Sequence, residues 1–285
     1  MNNTIQIQAG NRFFSIANSW YGVPEDHFGH IVDDMQLFSV GQLTADEVKL
    51  RHVMRELGIS RPDSLSQRQI ESLLSVAGMV TFLFGRDDGK PSFRFFRQFI
   101  PSVVLSDGSV AKGYDIMYGS RLIACSLTAR QYADAVDACA GGTVSASVLA
   151  AILYCDGPYD PCRAMSRVSL FAGLSQTVLS GIAIVFNAFV DALFSGTYLS
   201  LISRLRGAEK GHFHRSMADH FADLSKIGYG SIAELERMNV MDYLTLLYKN
   251  LVDNILTLRG MKMPTPDIAS KVGLPVEDVN RIVGI

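Results

Sequence analysis

Charge is scarce in this chain of 285 residues: Asp, Glu, Lys and Arg make up 19%, against 48% hydrophobic residues. With a mean hydropathy of +0.18, that composition excludes a disordered chain, which needs the opposite balance. Charge of one sign is lacking as well. The 26 basic and 28 acidic residues leave a net charge of −2, so no global field draws the chain to nucleic acid or anionic lipid. Cysteine is limited to Cys125, Cys139, Cys155 and Cys162, with no C-x-x-C pair. This excludes a disulfide-stapled mini-protein and points to reduced, partly buried thiols. The opening Met-Asn-Asn-Thr-Ile-Gln-Ile-Gln lacks the basic and apolar segments of a secretory signal, and the expectation is a cytoplasmic protein.

Catalytic signatures are equally sparse. The sequence has no G-x-S-x-G elbow, no P-loop and no H-E-x-x-H. Gly228-Tyr229-Gly230-Ser231-Ile232-Ala233 matches G-x-G-x-x-A, but residues 219–227 before it read as helix, whereas a dinucleotide loop follows a strand. His212, His214 and His220 form the one histidine-rich patch, with Asp219 and Asp223. Spacings of two and six place no pair of these histidines at i and i+4, so they read as a solvated linker and helix start. His27 and His30 lack a third ligand. The expectation is a non-enzymatic protein with no cofactor and no metal site.

What the sequence does contain is helical patterning. Helix starts are marked by Pro24-Glu25-Asp26 and by three capping-box patterns, Thr44…Glu47, Ser66…Gln69 and Thr128…Gln131. Each leads into an apolar stripe at helical spacing, as in Leu50, Val53, Met54, Leu57. Two short β segments interrupt this pattern. Ile5 and Ile7 alternate towards Gly10-Asn11 and return through Phe13 to Ile16, a hairpin over 4–17. Phe93 to Leu105 approaches Asp107-Gly108, a second hairpin over about 93–118. The fold class expected is mainly α, a helical body with one or two small β-hairpins. Three segments follow along the chain: 1–125 with hairpin, helices and β insertion, 126–258 as a helical core half, and 259–285 as a small helix-turn-helix-like element.

Val168 to Val190 carries no charge, enough length for about 30 Å of bilayer. Polar Ser169, Ser175, Gln176, Thr177, Ser180 and Asn187 interrupt it, and arginines flank both sides without bias. A pair of core helices turning near Gly173 accounts for it, so no membrane partner is expected. Across and after the end of this run, Phe186, Phe189, Leu193, Phe194 and Tyr198 give more aromatic and apolar surface than one helix normally needs; simple core accounts for them first, and a partner-binding surface is the candidate alternative. Residues 265–283 have the apolar skeleton of a helix-turn-helix: Ile268, Val272, then Gly273, then Val276, Val279, Ile282. The second helix starts with Glu277 and Asp278, where a DNA reader needs positive charge, so docking is expected rather than nucleic-acid binding. A DNA-binding regulator is the alternative.

Two passages carry a family resemblance. Ser19-Trp20-Tyr21-Gly22-Val23-Pro24-Glu25-Asp26-His27-Phe28 resembles an S-W-x-E-I-T-x-x-Q-F opening. In it Ser19, Trp20, Val23 and Phe28 fit, while Gly22, Pro24 and His27 depart. Leu149-Ala150-Ala151-Ile152-Leu153-Tyr154 followed by Tyr159-Asp160-Pro161 is similar to an L-x-A-x-L-Y-R-P…Y-D-P segment, with Cys155 and Asp156 in place of Arg-Pro. Both passages are similar to tailed-bacteriophage proteins of the tail-assembly-chaperone type, over residues 1–258. The resemblance implies a non-catalytic virion-assembly factor of the host cytoplasm. Its partner would be a tape-measure protein, with a homo-oligomer open and retention in the virion as a structural component the alternative. Trp20, Phe28, Tyr154, Tyr159, Asp160 and Pro161 would be structural motif residues.

Overall fold

The computed structural model describes residues 4–9, 12–60, 65–85, 89–119, 122–140, 145–202 and 219–284. The protein is mainly α, with three two-stranded antiparallel sheets among the described residues. Contacts group the chain into two compact units. One comprises Met1–Ile100 with Leu174–Ala188, the other Pro101–Gly173 with Phe189–Ile285. This grouping follows packing rather than chain order and cuts across the three sequence segments.

In the first unit, strand β1 (Thr4–Ala9) pairs with β2 (Arg12–Ala17), placing Ile5 opposite Ile16 and Ile7 opposite Phe14. The alternation puts these side chains on one face, and Ile5 and Ile16 are buried. The expected Gly10-Asn11 turn lies outside the described residues. Helix α1 (Glu25–Ser39) begins one residue later than Pro24 suggested: Pro24 is the extended N-cap rather than the first helical residue. Helices α2 (Ala45–Glu56) and α3 (Gln67–Gly78) start at the capping boxes of Thr44 with Glu47 and Ser66 with Gln69. Phe93 to Phe99, expected to be strand, instead runs as irregular chain around Trp20. Trp20 lies 5.0 Å from the rings of Phe82 and Phe95 and 5.4 Å from Phe93. Arg97 fixes the turn by donating to the carbonyls of Trp20, Tyr21 and Val23.

Across this unit α2 holds the end of β2 through His52, whose Nε2–H donates to the Ala17 carbonyl at 3.0 Å. Glu56 accepts from the Ala17 amide and lies 2.9 Å from His27. His52 is buried, and its pKa is lowered chiefly by loss of solvent, against the raising effect of Ala17 and Glu56. The unfolded chain therefore binds this proton first, and acid favours unfolding. Stability contributed by neutral His52 is expected to be intact above about pH 7.5. As pH falls through about 6.5 it should decline, by up to about 1.4 kcal/mol per pH unit. Urea midpoints between pH 5 and 8 check this; the slope should flatten in His52→Gln.

The second unit opens with the hairpin of β3 (Ser102–Val104) and β4 (Val110–Lys112), which turns at Asp107-Gly108 as its sequence indicated. Gly108 takes φ of 81°, and Asp107 accepts from the Ser109 amide at 2.9 Å. A further hairpin, β5 (Ile116–Tyr118) with β6 (Ile123–Cys125), follows. Cys125 is buried, and burial pushes its thiol up to about 12. Helix α4 (Ala129–Ala140) starts with Thr128 accepting from the Gln131 amide, while the Gln131 side chain donates to the Ile152 carbonyl. The apolar run after residue 167 divides, as expected near Gly173, into α7 (Val168–Phe171) and α8 (Gln176–Gly196). Between α4 and α7 lie α5 (Ala146–Leu153) and α6 (Pro161–Ser166).

Among the described residues α8 is the one helix long and apolar enough to cross a membrane, and 50% of its apolar window is buried in the protein. Its first part packs into unit one. Thr177 donates to Asp33 at 2.5 Å, and Gly181 sits where a Cβ would meet Ile100 at 2.8 Å and Phe28 at 3.4 Å. After α8 come α9 (Asp219–Lys226), α10 (Ile232–Arg237) and α11 (Val240–Gly260). The chain then forms the helix pair α12 (Thr265–Val272) and α13 (Val276–Val283), turning at Gly273 in the left-handed conformation. Leu251 and Ile255 of α11 share a core with Ile268, Ala269, Leu274 and Val279 of that pair.

Candidate functional site: an open apolar cleft

The cleft is built around the start of α11. Asn239 caps this helix by accepting from the Met241 amide at 2.9 Å, and its side-chain amide donates to the Cys125 carbonyl at 2.7 Å. The Ala129 amide donates to Met238 and the Val240 amide to Leu127, at 2.8 and 3.0 Å. Through these bonds the β5–β6 hairpin and the first turn of α11 form one framework. The end of α8 and the chain after it supply the third wall, with Leu193, Tyr198 and Leu199. Tyr198 is held by a 2.9 Å hydrogen bond between its hydroxyl and that of Thr245, and its ring stands edge-on to Tyr248.

The cleft has a volume of about 470 Å3, and its rim is apolar and wet: Leu122 is 64% exposed, Tyr118 55% and Tyr198 50%. These large apolar side chains left in water at one cleft make it the candidate site. A second groove, of about 530 Å3, lies in unit one between the β1–β2 hairpin and α2–α3, lined by Ile7, Phe14, Leu57 and Leu73. It is the larger and the more apolar of the two, but its apolar side chains are half-buried or buried, and none of them stands out in water as Leu122, Tyr118 and Tyr198 do.

Of the candidate partner-binding residues, Phe186, Phe189 and Leu193 are fully buried. They are core, a correction to the expectation of a surface: α8 is apolar on most of its circumference, and such a helix is covered on most sides. Phe194 is half-buried. Tyr198 stands at the rim, and Leu193 forms the floor beneath it. The rest of the surface, Tyr118, Leu122 and Met241, was missed by sequence reasoning. The β-formers on either side of Gly119 were the available signal.

The motif residues serve the framework. Trp20 and Phe28 are core. Tyr154 is buried at the C-terminus of α5, with a pKa raised by burial. Tyr159 donates to Asp134 at 2.7 Å, and Asp134 also accepts from Arg130. Asp160 caps α6, where Pro161 is the first helical residue.

His212 and His214 lie outside the described residues. His220, Asp219 and Asp223 belong to α9. Among the described residues no group of three or more His, Cys, Asp or Glu side chains could hold a metal ion. The G-x-G-x-x-A string follows α9, with Gly228 and Gly230 at positive φ before the capping box of Ser231 and Glu234. At the start of α13, Glu277 is exposed, while Asp278 is buried and paired with Arg281.

No protein-family model, no curated protein and no solved structure matches the chain.

Proposed function

We propose that the protein is a non-enzymatic assembly factor of the tail-assembly-chaperone type, which covers apolar helical segments of a long tail protein such as a tape measure. The observation that carries this reading is the open cleft with Tyr118, Leu122 and Tyr198 exposed at its rim. The two passages around Trp20 and Tyr154 that resemble such chaperones support it. A helix with an apolar stripe aggregates in water unless that stripe is buried, and a groove lined by apolar side chains buries it reversibly. A net charge of −2 suits docking by apolar contact more than by long-range attraction.

Co-expression tests the proposal. A long helical tail protein of the tape-measure type is expected to be insoluble alone and to co-purify in soluble form with this chain. Failure to form a complex, with no gain in solubility, would remove the chaperone role.

A further inference from the structure

We infer that the cleft selects a helix carrying a lysine or arginine beside its apolar anchor, and that Asp242 reads that charge. The inference rests on the helix-binding reading above. Among the described side chains lining the cleft Asp242 alone is charged; the others are apolar, such as Ile123 and Met241, or bear hydroxyls, such as Thr197 and Thr245.

Asp242 is the third helical residue of α11 and is exposed. Several acids of this unit have cationic partners, such as Asp134 with Arg130, Asp156 with Arg167 and Asp278 with Arg281. Asp242 makes no ion pair among the described residues. The positive end of the α11 dipole favours a carboxylate there, which accounts for its tolerance in the free protein but leaves it facing the cleft uncompensated.

A helix laid across Tyr118, Leu122 and Tyr198 would strip water from beside this carboxylate. An incoming cation offsets that loss; an incoming acid adds repulsion and is rejected. On a helix, a residue three or four positions from the anchor shares the anchor's face. The occupant is therefore a protein helix with an apolar anchor and a basic residue at that spacing.

The test uses the full chain and fluorescently labelled amphipathic peptides that differ at one position, four residues after a central leucine: Lys, Gln or Glu. Anisotropy titrations are expected to give an order Lys, Gln, Glu, with the Lys peptide about tenfold tighter than the Glu peptide. The preference should shrink as salt rises. In Asp242→Asn the three affinities should converge, and in Asp242→Lys the order should reverse; circular dichroism checks that both variants are folded. Equal binding of the three peptides to the unmodified protein, or a Lys preference that survives in Asp242→Asn, would overturn the role of Asp242 and leave the helix-binding reading standing. Binding of none of them would overturn both.

Discussion

Replacing Trp20 by alanine is expected to lower stability by about 3–5 kcal/mol, a large fraction of the roughly 5–15 kcal/mol that holds a typical domain folded. The indole is 4% exposed and meets five phenylalanine rings, those of Phe28, Phe82, Phe93, Phe95 and Phe99. Its Nε1–H donates to the Ser92 carbonyl at 3.0 Å. Removing it leaves a cavity and an unpaired carbonyl. It also loosens residues 93–99, an irregular run held by these rings, by Arg97 and by the Phe96 amide's bond to the Tyr21 hydroxyl. Trp20→Phe keeps much of the packing and loses the hydrogen bond, with an expected cost of about 1–2 kcal/mol. Trp20 is the single tryptophan of the chain, so its own fluorescence disappears with it and urea unfolding must be followed by far-UV circular dichroism. A loss below about 1 kcal/mol for Trp20→Ala would mean that this aromatic cluster does not organise its unit.

Local features were legible where the signal lies within a few residues. Alternation at Ile5 and Ile7, the boxes at Thr44 and Ser66, and Asp107-Gly108 each specify their element through bonds to near neighbours. The aromatic run from Phe93 to Phe99 misled because β propensity measures the chance to pack on a pleated surface, and here the packing partner is an indole rather than a strand. The candidate surface was legible only at Tyr198 and, beneath it, Leu193. Phe186 and Phe189 have the composition of a docking face, but only tertiary structure decides whether a helix is covered, and theirs is. Tyr118 and Leu122, neighbours in one hairpin, lie far in sequence from Tyr198 and from Met241. They meet because Asn239 and the bonds at Leu127 and Met238 bring β6 against the start of α11, a juxtaposition that no local pattern encodes.

The second large effect concerns those exposed residues. Leu122→Asp combined with Tyr198→Ala places a charge on the rim and removes an aromatic anchor. Both side chains are at least half exposed, so the fold should lose little: about 0.5 kcal/mol at Leu122 and about 1 kcal/mol at Tyr198, where the contacts with Thr245 and Tyr248 go. Binding should lose far more. Anchors at the centre of an interface contribute about 2 kcal/mol or more each, and a carboxylate pressed against an apolar stripe adds its desolvation cost. Capture of the helical tail protein is expected to fall by a factor of about 100 or more. The decisive measurement is co-purification of that tail protein with the unmodified chain and with the folded double variant, at matched expression. The account predicts a stoichiometric soluble complex with the first and an insoluble tail protein with the second. Equal recovery with both would contradict it, because helix capture would then not pass through the cleft.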